Sequence, residues 1–172
     1  MDDFKIRLGV LTNGENSFSF EIKDRFFEEF AENEIKTATI SVQAKVKKEI
    51  DSMHLSVTVS GTVHHLLCNL CAEEISIEIS NNTSVLIKES EQPLESTDEI
   101  IYIAPNQHVL AINTLIYELI VLALPKRTVH PVDEFGGSTC NKEMINLIEQ
   151  YKYTDNQEID SRWDTLKNIK LK

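Results

Sequence analysis

No stretch of this 172-residue chain approaches the roughly 20 consecutive apolar residues that cross a bilayer. A membrane-spanning helix is therefore not expected. The start, Met1-Asp2-Asp3-Phe4-Lys5, lacks the basic region and apolar stretch of a secretory signal, so a cytoplasmic protein is expected. Cysteine is scarce and odd in number. Three residues fit a disulfide framework poorly and suit a reducing compartment, where thiols stay free or bind metal. Glycine is also sparse, and among the five present there is no phosphate-cradling loop and no Gly-x-Ser-x-Gly elbow. Basic residues are outnumbered, 17 Lys and Arg against 28 Asp and Glu, which leaves a net charge of −11. Broad binding to bare nucleic acid, which draws on cations neutralising phosphates, is not the default expectation. An acidic surface suits basic proteins, and ribosomal proteins are a large pool of those; the same charge also serves solubility alone.

What is present is a clear alternation. From Met53 the odd positions are apolar (Met53, Leu55, Val57, Val59, Val63) and the even ones polar (His54, Ser56, Thr58, Ser60, Thr62, His64). That is the period-two pattern of a strand with one buried face. After Cys68-Asn69-Leu70-Cys71 it resumes as Ile75, Ile77 and Ile79 against Glu74, Ser76 and Glu78, which places the two cysteines at a hairpin tip. Upstream, Ala38, Ile40, Val42, Ala44 and Val46 alternate in the same way and predict a third long strand, making a β-meander.

Phe4–Leu11 and Phe18–Ile22, separated by the turn-forming Thr12–Asn16, predict a β-hairpin. Asp24 is placed as the cap of a short helix that sends Phe26, Phe27 and Phe30 to the core. Asn81-Asn82 suggests a bulge or turn before the strand resumes at Val85–Lys88. Glu89–Asp98 reads as a solvated acidic loop, and Glu99–Ala104 as a further strand. Asn113 is placed as the cap of a helix whose Ile112, Leu115, Ile116, Leu119, Ile120 and Ala123 recur at helical spacing until Pro125 stops it. Beyond lie the one compact basic patch (Lys126, Arg127, His130), a glycine-containing loop ending at Cys140, and a short amphipathic helix marked by Met144, Leu147, Ile148 and Tyr151. Asp160 is placed as the cap of a terminal helix carrying Trp163, Leu166 and Ile169, with Arg162, Lys167 and Lys170 around them.

Two thiols two residues apart on a turn supply half of a tetrahedral metal site, and Cys140 with His130 would complete a Cys₃His set of the kind that holds zinc. His64 and His65 are alternatives to His130, and three free thiols are the competing reading. The stretch 131–139 between His130 and Cys140 is looser than the tight pair usual in zinc knuckles. A thioredoxin-like role needs the Cys-x-x-Cys at a helix start, whereas here it lies between strands. No general base or substrate loop accompanies the thiols, so no catalytic residue is assigned. The alternative kept open is a metal- or thiol-dependent enzyme using Cys68, Cys71, Cys140 and His130.

The order of features resembles a family. Gly61-Thr62-Val63 leads to Cys68-x-x-Cys71, an acidic loop follows, a helix ends in Glu118-Leu119-Ile120-Val121-Leu122-Ala123-Leu124-Pro125, and a histidine-cysteine segment precedes Asp160-Ser161-Arg162-Trp163-Asp164-Thr165-Leu166-Lys167. This layout resembles the YceD family of large ribosomal RNA subunit accumulation proteins over about residues 55 to 170. Ser161 stands where the family usually has proline, and only Cys140 follows the Leu-Pro, where some members have a richer cysteine cluster. The resemblance implies a non-enzymatic role in large-subunit ribosome biogenesis, supporting accumulation of 23S ribosomal RNA.

The reading is one α+β domain over 1–172, a twisted antiparallel sheet curled toward a barrel with a few packed helices. Strands and a short helix fill about 1–50, the Cys-x-x-Cys meander about 51–104, and a helical part about 108–172. The expected partner is the large-subunit precursor, through either a basic ribosomal protein or ribosomal RNA. The acidic sheet face, the basic residues Lys126, Arg127, Arg162 and Lys167 and the aromatic Trp163 are the expected contact surfaces.

Overall fold

The alternating segments fold as three long antiparallel strands, β3 (Thr37–Lys48), β4 (Met53–Leu67) and β5 (Glu74–Glu89). The computed structural model describes residues 4–30, 34–50 and 52–152. The expected terminal helix, with Arg162, Trp163 and Lys167, lies outside the described residues. At about 3.3 Å per residue the 16-residue β5 extends about 50 Å, so the β4–β5 ribbon carries its tip well beyond the middle of the sheet. Strand β2 (Gly14–Ile22) adds to β3, and β6 (Ile100–Ile103) adds to β5, completing an open five-stranded sheet in the order β2-β3-β4-β5-β6. No closed barrel forms among the described residues.

One sheet face is buried. Val42, Ala44 and Val46 of β3, Leu55, Val57 and Val59 of β4, and Val85 and Ile87 of β5 all point inward, as the alternation requires. Helix α2 (Asn113–Ala123) covers β4 and β5 with Ile116, Leu119 and Ile120, and these side chains form one cluster with the sheet. The one-turn helix α1 (Asp24–Phe27) brings Phe26 and Phe27 into the same core. Phe26 meets Phe4 edge-on at 4.9 Å between centroids, and Phe30 stacks on Tyr117 of α2 at 3.9 Å.

Several sequence expectations are corrected. The N-terminal hairpin does not form: β1 (Lys5–Arg7) pairs with β7 (Val109–Ala111) in a separate two-stranded ribbon, while β2 pairs with β3. Strand β2 pairs with β3 along its whole length, from Gly14 opposite Lys48 to Ile22 opposite Ile40, and Ile6 gains full burial beside Leu110. Asn81-Asn82 makes no break, since Asn81 pairs in register with Val59 and its side chain donates to the Leu119 carbonyl at 3.1 Å, tying β5 to α2. Strand β6 is parallel to β5, because the ten-residue stretch 90–99 runs back along the sheet before pairing begins. Asp24 and Asn113 are first residues of their helices, not caps. The cap positions are Lys23 and Ile112, neither with a side-chain hydrogen bond, and the Asp24 carboxylate instead accepts from the Ala38 N–H at 3.3 Å. Ile112 takes the cap position because its side chain is buried in the core.

The centre of the exposed sheet face is not acidic. Ser41, Ser60 and Ser80 align across three strands, as do Gln43, Thr58 and Asn82, giving a field of hydroxyls and amides. Gly61 explains its own presence in this sheet. A Cβ there would lie 2.2 Å from the Thr39 carbonyl oxygen and 2.7 Å from the Ile40 Cα, so only glycine lets β3 and β4 close at that point.

Candidate metal centre

The β4–β5 ribbon ends in a short turn. The Cys68 N–H donates to the Glu73 carbonyl at 2.8 Å, the Ala72 N–H donates to the Cys68 carbonyl at 2.9 Å, and Ala72 takes a positive φ of 58°. Before it, the register slips between Val63 and Leu66, where His65 adopts φ 54°. Such an irregularity re-aims the strand end, and here it precedes the cysteine pair.

The chain leaving α2 returns to this tip. Thr128 and Asn69 grip each other there. The Asn69 N–H donates to the Thr128 carbonyl at 2.7 Å, and the Thr128 N–H and hydroxyl donate to Asn69 Oδ1 at 2.7 and 2.9 Å. This places His130 over the cysteines. Residues 131–139 then run out and back as a finger, closed by a Val132–Ser138 bridge and by the Thr139 hydroxyl donating to the Pro131 carbonyl at 2.6 Å. The finger delivers Cys140 to the same point, so the loose spacing between His130 and Cys140 is no obstacle to their meeting. Asn141 follows as the cap of α3 (Lys142–Tyr151), accepting from the N–H groups of Glu143 and Met144, while its amide donates to Glu73 Oε1 at 2.7 Å.

The four ligand atoms of Cys68, Cys71, His130 and Cys140 all lie within 4.8 Å of one another. The Cys68 and Cys140 sulfurs are 3.7 Å apart, and His130 Nδ1 is 3.4 Å from the Cys71 sulfur and 3.7 Å from that of Cys140. A tetrahedral zinc with Zn–S bonds of about 2.3 Å requires sulfurs about 3.8 Å apart. The donor set fits such an ion. His64 and His65 are not part of it: His64 lies against Thr39 and Ser76, and His65 Nδ1 is 2.6 Å from Glu74 Oε2.

The surroundings favour an anionic sulfur at Cys68 and oppose one at Cys71. Burial opposes charge on Cys68, yet the N–H groups of Cys71, Leu70 and His130 and the His130 ring bring its thiol down to about 5. Burial pushes the Cys71 thiol up, against the N–H groups of Asn141 and Glu73, and the sulfurs of Cys68 and Cys140 raise it further. Those two sulfurs hold the His130 imidazole above its ordinary value. Two neighbouring thiols that resist ionising together, beside backbone donors aimed at sulfur, are what a cation would relieve.

The three cysteines form a small core of their own, apart from the main one, and among the described residues only Leu70 and Ile145 are packed on it. Helix α3 has no fully buried residue. Apolar contact is thus a slender hold on the segment after Thr128. The expected contact residues Lys126 and Arg127 are exposed just ahead of Thr128 and have no ion-pair partner among the described residues. Sequence reading missed Asn69, Thr128, Glu73 and Asn141. Only Asn141, directly ahead of the amphipathic Met144–Tyr151 pattern, carried a readable signal, that of an N-cap.

No helix among the described residues is long and apolar enough to cross a membrane. No curated protein and no solved structure matches the chain. A family match covers residues 55–170, the span from β4 through the finger, α3 and beyond, and so includes all four members of the cluster. The chain belongs to the YceD family, described as large ribosomal RNA subunit accumulation protein YceD.

Proposed function

We propose that this chain is a non-enzymatic cytoplasmic factor of ribosome biogenesis that supports accumulation of large-subunit ribosomal RNA by binding a component of the large-subunit precursor. Its Cys68, Cys71, His130 and Cys140 hold one structural zinc. The observation that carries the metal reading is the four-donor cluster at tetrahedral spacing. Three thiolates and an imidazole fill a tetrahedron, and closed sites are structural, whereas catalytic zinc keeps a position open. The ion would add an attachment where apolar packing is thin and would hold the 126–152 segment on the hairpin tip. The family description supports the ribosomal part of the reading. Lys126 and Arg127, exposed beside the anchored Thr128, are available to the precursor.

Two measurements test the reading. Metal analysis of freshly purified, untagged protein is expected to find one zinc per chain, lost in Cys68→Ser; metal-free native protein would end the zinc assignment. Sedimentation of cell extracts is expected to place the chain on large-subunit precursors, with less large-subunit RNA after depletion. An unchanged subunit profile would overturn the ribosomal role.

A further inference from the structure

The finger between His130 and Cys140 presents a large apolar side chain to solvent on a fixed base. Phe135 at its tip is 96% exposed, the highest value among the large hydrophobic residues described. Val132 beside it is 68% exposed. Burying a phenylalanine is worth about 1.5–3 kcal/mol, so a ring held this far from the core gains nothing from the fold.

The tip is not a loose loop. Asp133 Oδ1 accepts from the N–H groups of Phe135 at 2.9 Å and Gly137 at 2.6 Å. The Asp133 N–H donates to the Gly137 carbonyl at 2.8 Å, and the Gly136 N–H to the Asp133 carbonyl at 3.0 Å. Gly136 takes φ +79°, and a Cβ on Gly137 would lie 2.7 Å from Asp133 Oδ2. Both glycines are needed to draw the turn this tight. Below it stand the Val132–Ser138 bridge and the two cluster residues His130 and Cys140. A ring presented on so constrained a turn is preorganised for contact.

We propose that the finger 131–139 is a docking element for a cationic protein segment, a partner arginine lying against the Phe135 ring and beside the Glu134 carboxylate. This rests on the ribosome-biogenesis reading and names the kind of partner. Charge selects the occupant. Asp133 and Glu134 make the tip anionic, Glu134 has no ion-pair partner among the described residues, and the whole chain carries −11. Guanidinium groups favour an aromatic face with a carboxylate at its side. A nucleic acid would bring phosphates to those carboxylates, and the nearest lysine and arginine in sequence, Arg127 on one side and Lys142 on the other, lie outside the finger.

The full metal-loaded chain with a photo-crosslinking p-benzoylphenylalanine at position 135 is mixed in separate arms with RNA-free large-subunit ribosomal proteins and with protein-free large-subunit ribosomal RNA. The expected product is an adduct to a Lys- and Arg-rich protein segment. Binding of the protein so identified is expected to fall about tenfold in Glu134→Lys and about fivefold in Phe135→Leu, which stays apolar but loses the ring face. An adduct to RNA alone, no adduct in either arm, or binding unchanged in Glu134→Lys would overturn the proposal. Co-sedimentation separates this from the broader reading. If Phe135→Ser, whose exposed site leaves the core intact, still travels fully with precursor particles, the finger proposal fails alone; if the unmodified chain does not travel with them, the ribosomal reading fails.

Discussion

Thr128 and Asn69, remote in sequence, close on each other through three hydrogen bonds of 2.7, 2.7 and 2.9 Å, the Thr128 hydroxyl sharing its single proton between Asn69 Oδ1 and the Leu67 carbonyl 3.0 Å away. The clamp sets the approach of His130 to the cysteine turn. Groups that orient metal ligands without touching the metal typically change affinity 10- to 100-fold when removed. Asn69→Ala is expected to weaken zinc binding about tenfold in competition with a chelating dye while leaving the melting of the sheet unchanged. Unaltered zinc affinity would show that the clamp does not position the site.

Removing the metal should release the C-terminal segment and spare the sheet. The main core contains no member of the cluster, whereas α3 relies on it. A chelator is expected to abolish the helical circular dichroism of the ten residues of α3 and to expose 126–152 to protease, with β3–β5 amides still protected from exchange. Global unfolding on chelation would contradict the separation of the two cores.

Asn141 joins two functions in one side chain, capping α3 and bonding Glu73 across the hairpin tip. Loss of such a cap costs about 1 kcal/mol. Asn141→Ala is expected to speed amide exchange in α3 by about fivefold at that cost, and Asn141→Asp to restore the cap while repelling Glu73. Equal exchange in all three forms would remove the cap from the account.

At Gly61 the two central strands approach too closely for any side chain. Gly61→Ala should destabilise the sheet by about 2–4 kcal/mol, read as a lower urea midpoint with an unchanged slope. A variant within about 0.5 kcal/mol of the parent chain would show that the strands can part there without cost.

The metal-free protein should carry one thiolate near neutrality. Cys68 sits at about 5 in the folded chain, against about 8.5 for an unfolded cysteine. A folded value below the unfolded one gives stability that is present above the unfolded value and is lost as pH falls through about 5. His130, raised, contributes in the opposite sense: its stabilisation is present below about 6.5 and is lost as pH rises through its folded value. Ultraviolet thiolate absorbance of the metal-free chain is expected to titrate near pH 5 and to vanish in Cys68→Ser. A titration only above pH 8 would overturn the assignment.

The local pattern was legible where one rule governed. Alternation in 38–46, 53–64 and 74–79 specifies which face of each strand of the meander turns to the core, because a strand has two faces and only one meets it. The helical spacing of Ile112–Ala123 specified the face of α2 that packs, and the motif order pointed to the family. Asn81 was misread because turn propensity is a local quantity, while a paired strand on each side of the residue and the Leu119 carbonyl above it are not.

By itself, then, the sequence determined the meander, the hairpin tip with its two thiols, and the list of candidate ligands. Only the tertiary structure decided which histidine joins Cys140, that β1 belongs with β7, and that β6 runs parallel to β5. The physical reason is the same in each case. These are contacts between segments far apart in the chain, chosen by the side chains that converge once the core has formed, and no periodicity within one segment encodes its distant partner. His64 and His65 are nearer to the cysteines in sequence, but their strand directs them to Thr39, Ser76 and Glu74; His130 reaches the sulfurs because Thr128 is held by Asn69.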